Sequence, residues 1–152
     1  MSTPAQNLIA AVEAACRKGS WHGPTLHAAV RGVDARAALW RPGKGRHNIW
    51  ELAIHTAYWK FAARRKLLRD RQLKFPFPGS NWFPVTRGSE KEWAAARRLL
   101  DAQHRLFITY LRDAAGEIVR DAARSRLVFG VALHDVYHAG QIVLLKKLAA
   151  GR

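Results

Sequence analysis

Apolar side chains recur with a helical period along most of the chain. In 5-AQNLIAAVEAACRK-18 they stand at Leu8, Ile9, Val12, Ala15 and Cys16. That predicts a first helix, ended by Gly19 and 20-SWHGP-24. A short helical piece follows over about Thr25–Val30, and Asp34 and Pro42 bracket one or two turns in 34-DARAALWRP-42. Asn48, with Glu51 three residues on, has capping-box spacing. It opens a long helix over 49–69 whose inward stripe reads Leu52, His55, Trp59, Ala62 or Ala63, and Leu67. Ser89 and Glu92 repeat the signal and open a helix over 90–113. Its stripe reads Trp93, Ala96, Leu100, Gln103 or His104, Phe107, and Tyr110 or Leu111. A short loop around 116–120 leads to a last helix over about 124–148. No segment alternates with the period of a strand. The pattern predicts an all-α, four-helix bundle in one domain, 1–152.

Between the second and third long helices stands 70-DRQLKFPFPGSNWFPVTRG-88, where Pro76, Pro78 and Pro84 forbid a regular helix. Structureless loops of this length are uncommon in compact domains and usually have a task. A long crossover lets consecutive helices run parallel rather than as a hairpin. Phe75, Phe77, Trp82 and Phe83 predict that the loop packs down on the bundle.

In the last helix Leu127, Val131, His134, His138, Gln141, Leu145 and Leu148 are spaced alternately by four and three. That is the inward seam of a bundle helix. The neighbouring stripe of Phe129, Leu133, Val136 and Val143 or Leu144 is apolar too, predicting burial on more than one side. Burying His134, His138 and Gln141 in succession is costly unless each finds a partner. A metal ion would satisfy two of them at once. The spacing H-x-x-x-H alone is weak evidence, and a lone core histidine is more often a hydrogen-bonded structural residue. His55, on the inward stripe of another helix, would complete three nitrogen donors and leave other coordination positions open. No glutamate follows His134 directly, so the zincin pattern is absent.

The other candidates carry plainer readings. Gly140 is read as permitting close helix packing, and Gln141 as bonding either a ligand or a backbone group. Asp135 and Glu51 could orient ligand rings, but Asp135 points about 100° from His134 on a helix, which predicts a solvent-facing role. His22, His27, His47 and His104 are not assigned as ligands, and His47 is read as fixing its loop. Trp21, Trp40, Trp50 and Trp59 read as core or pocket walls, and Cys16 as a small buried hydrophobe.

Bulk properties narrow the setting. The chain has 152 residues, 49% of them hydrophobic, which suits one domain with a sizeable core. One cysteine allows no internal disulfide and no cysteine-based zinc cluster. No signal-peptide pattern opens the chain, and no run of about 18 apolar residues predicts a membrane span. The expected location is the cytoplasm. Twenty-six Lys and Arg against 11 Asp and Glu give a net charge of +15. Such an excess points to nucleic acid or another polyanion, although the basic residues form many small clusters and no single arm.

The segments 47-HNIWELAIHTAYW-59, 81-NWFP-84, 89-SEKEW-93 and 134-HDVYHAGQI-142, with 21-WHGPTL-26 before them, occur in the order found in one family. On these the sequence resembles the DinB-like (damage-inducible) superfamily of bacterial four-helix-bundle metalloproteins. The resemblance implies a bundle with a long connection between helices 2 and 3, and a metal site formed by His55, His134 and His138. It implies zinc or nickel as the metal, and as function a metal-dependent enzyme, such as a thiol-dependent transferase using a low-molecular-weight thiol. In that setting Gln141 is the further residue placed at the bound group. The alternative expectation is a non-catalytic stress-response or polyanion-binding bundle whose metal is structural or vestigial. A homodimer is compatible with either.

Overall fold

Each described helix opens on a side-chain oxygen. Thr3, Thr25, Asp34, Asn48, Ser89 and Asp121 accept from backbone N–H groups that a helix start leaves unpaired. In the computed structural model, which describes residues 1–151, the chain forms α1 (Pro4–Cys16), α2 (Leu26–Val30), α3 (Ala35–Leu39), α4 (Ile49–Leu68), α5 (Glu90–Arg120) and α6 (Ala122–Ala150). Among the described residues there is no strand. The four long helices are α1, α4, α5 and α6, as the periodicity predicts.

Two apolar clusters fix their directions. One gathers Cys16, Ile49 to Ala57 in part, Trp93, Ala96, Leu100, Ile142 and Leu145. The other gathers Leu8, Val12, Ala63, Leu67, Phe107, Leu111, Ile118, Val128 and Val131. Helices α4 and α5 both run from the first cluster to the second, while α1 and α6 run the other way. Consecutive helices α4 and α5 are therefore parallel. Twenty residues of α4 rise about 30 Å, and the chain must travel back that far before α5 can start. Residues 69–89 make that crossover. Phe75 and Phe83 seat it against Tyr58 at ring distances of 5.3 and 5.5 Å. Gly88 lies where a Cβ would come within 2.5 Å of the Trp50 ring, so only glycine permits this approach.

Between the two clusters each long helix contributes polar groups to one buried layer. Lys60 and Asp135 are fully buried and paired with each other. His104 and Cys16 are 1% and 2% exposed, and His104 Nε2 lies 3.2 Å from Glu13 Oε2. The expectation of a solvent-facing Asp135 is thus wrong. The buried face of α6 coincides only in part with the predicted seam: Val131, His138 and Leu145 are buried, Leu127, His134 and Gln141 are half-buried, and Leu148 is exposed. Val128, Val131, Ala132, Asp135, His138, Ala139, Ile142 and Leu145 point inward. Of the neighbouring stripe, Phe129, Leu133 and Leu144 are exposed, while Val136 and Val143 are half-buried against the core.

Other expectations also change. No loop stands at 116–120. Helix α5 continues through Gly116 to Arg120, since the buried Ile118 anchors its last turn against a glycine cost of about 1 kcal/mol. The joint is Asp121 alone, whose carboxylate accepts from Ala123 N and Arg124 N at 2.9 and 3.1 Å. Gly140 faces open space and serves no close packing. Trp21 is 97% exposed and forms no part of the core. An 18-residue window of α6 reaches a mean hydropathy of 1.3, enough to cross a membrane by length and composition, contrary to expectation. That helix instead carries Asp135 into the bundle, paired with Lys60.

Replacing Lys60 with Met leaves the Asp135 carboxylate buried without its counter-ion. The expected cost is about 3–5 kcal/mol, and the double change Lys60→Met/Asp135→Leu should recover most of it. Urea denaturation of the three proteins measures both. A Lys60→Met chain as stable as the parent would show that the pair does not hold the layer.

Candidate metal centre

The first turn of α4 and the end of the crossover are stitched together. Asn48 caps α4 through its oxygen and donates from Nδ2 to Val85 O at 2.9 Å. Glu51 does not close the expected capping box. Its carboxylate accepts from Val85 N at 2.8 Å, from Arg41, and from His47 Nδ1 at 2.8 Å. Burial alone would raise the Glu51 carboxyl, but these donors hold it down at about 2. The stitching brings Asn81 over His55. Asn81 adopts a left-handed φ of 66°, a conformation that asparagine tolerates better than most residues. In that pose its carbonyl accepts from His55 Nδ1 at 2.8 Å and its side chain accepts from Trp59 Nε1 at 3.0 Å. Trp82 then lies between two imidazoles, stacked on His55 at 3.8 Å and on His47 at 3.6 Å.

Helix α6 brings the other two rings. His134 Nε2 lies 3.0 Å from His55 Nε2 and 3.0 Å from His138 Nε2. His138 Nδ1 donates to Gln141 Oε1 at 2.6 Å, which resolves Gln141 as an orienting partner of a ring. Because the Nδ1 atoms of His55 and His138 donate to oxygen, their Nε2 atoms carry lone pairs when the rings are neutral. His134 Nε2 has at most one hydrogen to offer them. At least one lone pair therefore faces another nitrogen without a proton between. Nitrogens bound to one ion at about 2.1 Å stand about 3.0–3.4 Å apart, so the spacing suits a shared divalent cation. The residues present fit a three-nitrogen site.

The rings also resist protons. Burial lowers His55 to about 4 and His134 to about 3, with the neighbouring imidazoles adding to the effect, and it lowers His138 as well. They stay neutral at pH 7, the form that binds a metal.

A second group, Cys16, His104 and Asp135, also brings donor atoms within 4.8 Å of one another. It is not a second centre. The Lys60 ammonium already occupies the cationic place beside Asp135, and burial pushes the Cys16 thiol up to about 12, so no thiolate is offered.

All three predicted ligands meet at one point. His22, His27, His47 and His104 stay outside the triad. Missed in the sequence were Asn81, whose asparagine in a Pro- and Gly-rich loop signals a left-handed turn, and Trp82, whose stacking has no sequence signature. His138 and Gln141 also line a cavity of about 480 Å3 that opens beside the centre.

A sequence model of the DinB superfamily matches residues 20–142, and the chain belongs to that superfamily. No curated protein and no solved structure gives a significant match.

Elemental analysis of protein purified without a metal-affinity tag should find about one equivalent of a divalent metal. His138→Ala should reduce it below about a tenth. Unchanged metal content in that variant would remove the site.

Acid should destabilise the metal-free protein. His55 and His104 titrate near 4 when folded, against 6.5 as free groups; for His104 burial is the main cause, followed by Lys60. The unfolded chain thus binds more protons below 6.5, and stability falls as pH drops from 6.5 through about 4. Thermal melts in chelator across this range should show the loss, with a shallower slope for His104→Gln.

Proposed function

We propose that this member of the DinB superfamily is a metal-dependent enzyme that transfers a small thiol to an electrophile. The observation that carries the reading is the convergence of three Nε2 atoms, one of them on His138, which also lines a cavity of molecular size. A zinc or nickel ion held there would act as a Lewis acid and favour the thiolate form of a bound thiol at neutral pH. His55, His134 and His138 supply the nitrogens. Asn81 O and Gln141 Oε1 hold two of the rings in the tautomer that presents Nε2. Trp82 packs flat against His55 and covers it from solvent. Leu52, Leu144 and Leu145 give the cavity an apolar wall that a thiol's hydrocarbon part can cover.

The positive charge supports a second reading at one place. Beside the end of α4 a cavity of about 540 Å3 is lined by Arg65, Lys66, Arg69 and Arg71, with Asp70 as its single acid and Tyr58 and Phe61 as aromatic walls. That concavity suits an anion, and it lies apart from the residues that line the cavity at the histidines.

A panel of thiols and electrophiles, assayed with chelated protein and with protein reloaded with zinc or nickel, tests the enzyme reading. Thiol transfer should vanish with the chelator and return with the metal. Inactivity throughout at full metal content would overturn the transferase reading and leave the centre itself standing.

A further inference from the structure

The loop before α4 holds two arginines in opposite situations. Arg41 is consumed by the fold. Its guanidinium donates to Arg46 O at 2.6 Å, to Glu51 Oε2 at 3.0 Å and to Val85 O at 3.0 Å. Arg46 has a fixed base and a free head. Its carbonyl is held by Arg41, and its N–H bonds Gly43 O at 3.2 Å across a turn that Gly45 makes at a φ of 72°. The next residue, His47, is pinned between Glu51 and the Trp82 ring. No carboxylate or carbonyl among the described residues engages the Arg46 guanidinium. The loop is therefore built, and of its cationic side chains without a partner among the described residues, Lys44 and Arg46, it is Arg46 that lines the cavity His138 also lines.

The cavity's other lining sharpens the ligand class. None of its lining residues is Asp or Glu. Leu52, Leu144, Leu145 and Tyr137 make an apolar side, and His138 and Gln141 mark the end at the histidine centre. A guanidinium presents a planar fork that matches a carboxylate, with a geometry that a diffuse surface field lacks. We infer that this cavity binds a small anionic molecule with an apolar body, its negative group on Arg46 and its other end at the histidine centre. This rests on reading that centre as a thiol-using metal site, and it adds the charge of the ligand and the residue that selects it.

Two rigid thiols of one shape separate the possibilities: 4-mercaptobenzoate and 4-mercaptobenzamide. The ring holds the carboxylate away from the sulfur, so it cannot chelate the same ion. Calorimetric titration of the zinc-loaded protein should show the anion bound about two- to fivefold more tightly, the range expected for one partly exposed charge pair. Arg46→Gln should abolish the preference and Arg46→Lys should keep part of it, with unchanged melting temperatures showing that both variants fold. Equal binding of the two thiols by the parent, a preference that survives Arg46→Gln, or no binding of either would overturn the inference. A surviving preference would assign the selectivity to the overall +15 charge. Zinc content on the same samples reports separately on the metal reading: absence of zinc fails that reading, whereas the charge preference decides the ligand class.

Discussion

The ion pair of Lys60 and Asp135 sets how α4 and α6 face each other, and the histidine centre depends on that setting. A buried charge is tolerable only beside its partner, so neither helix can rotate without exposing the other's charge to apolar surroundings. An α-helix turns about 100° per residue. With Asp135 aimed inward, His134 lies about 100° and His138 about 60° to the same flank. Both rings therefore emerge at the edge of the core, toward the crossover, where His55 waits on α4. The same geometry explains why His134 is only half-buried while Asp135 is fully buried. The pair acts on register as much as on stability, the best-attested use of buried charge in helical assemblies.

The crossover has two tasks that are one in physical terms. It carries the chain back along α4 so that α5 can run parallel to it, and in doing so it passes over the open end of the site. Glu51 anchors that passage by accepting from Val85 N, Arg41 and His47 together. Since the carboxylate titrates near 2, it stays charged under all ordinary conditions and the anchor does not loosen. Asn81 and Trp82 are held against His55 as a result, and the loop that solves the topology also orients the His55 ring.

Much of this was legible in the sequence, and the failures share a cause. Four long helices and the crossover follow from periodicity, prolines and capping signals, while the three histidines as one set came with the family resemblance. Capping explains the success at Asn48 and Ser89, because an orphaned N–H needs an acceptor wherever the helix sits. Periodicity failed on α6, where apolar residues stand on every side and no face is singled out. Of the predicted seam, Val131, His138 and Leu145 lie on the buried face and His134 on its flank, and Phe129, Leu133 and Leu144 were given a burial they lack. Lys60 and Asp135 escaped because charged residues in a helix ordinarily face water. Only the three-dimensional meeting of α4 and α6 shows that each supplies the other's counter-ion. Gly116 misled for the opposite reason: a local breaker lost to the burial of Ile118.

The three histidines are not equivalent, and this follows from their partners. His55 is locked by a backbone carbonyl and a stacked indole, and His138 by a side-chain amide. His134 Nδ1 is buried and finds no protein partner among the described residues. Its ring is held by packing and by the two nitrogens it faces. A donor set with two fixed rings and one looser one can adjust a bond angle without disturbing the loop or the cavity wall. Burial has meanwhile lowered the basicity of all three rings, so protons compete weakly for the lone pairs. What the fold has assembled is a place where nitrogen lone pairs are crowded together and protons are disfavoured. A divalent cation bound there would relieve both conditions at once.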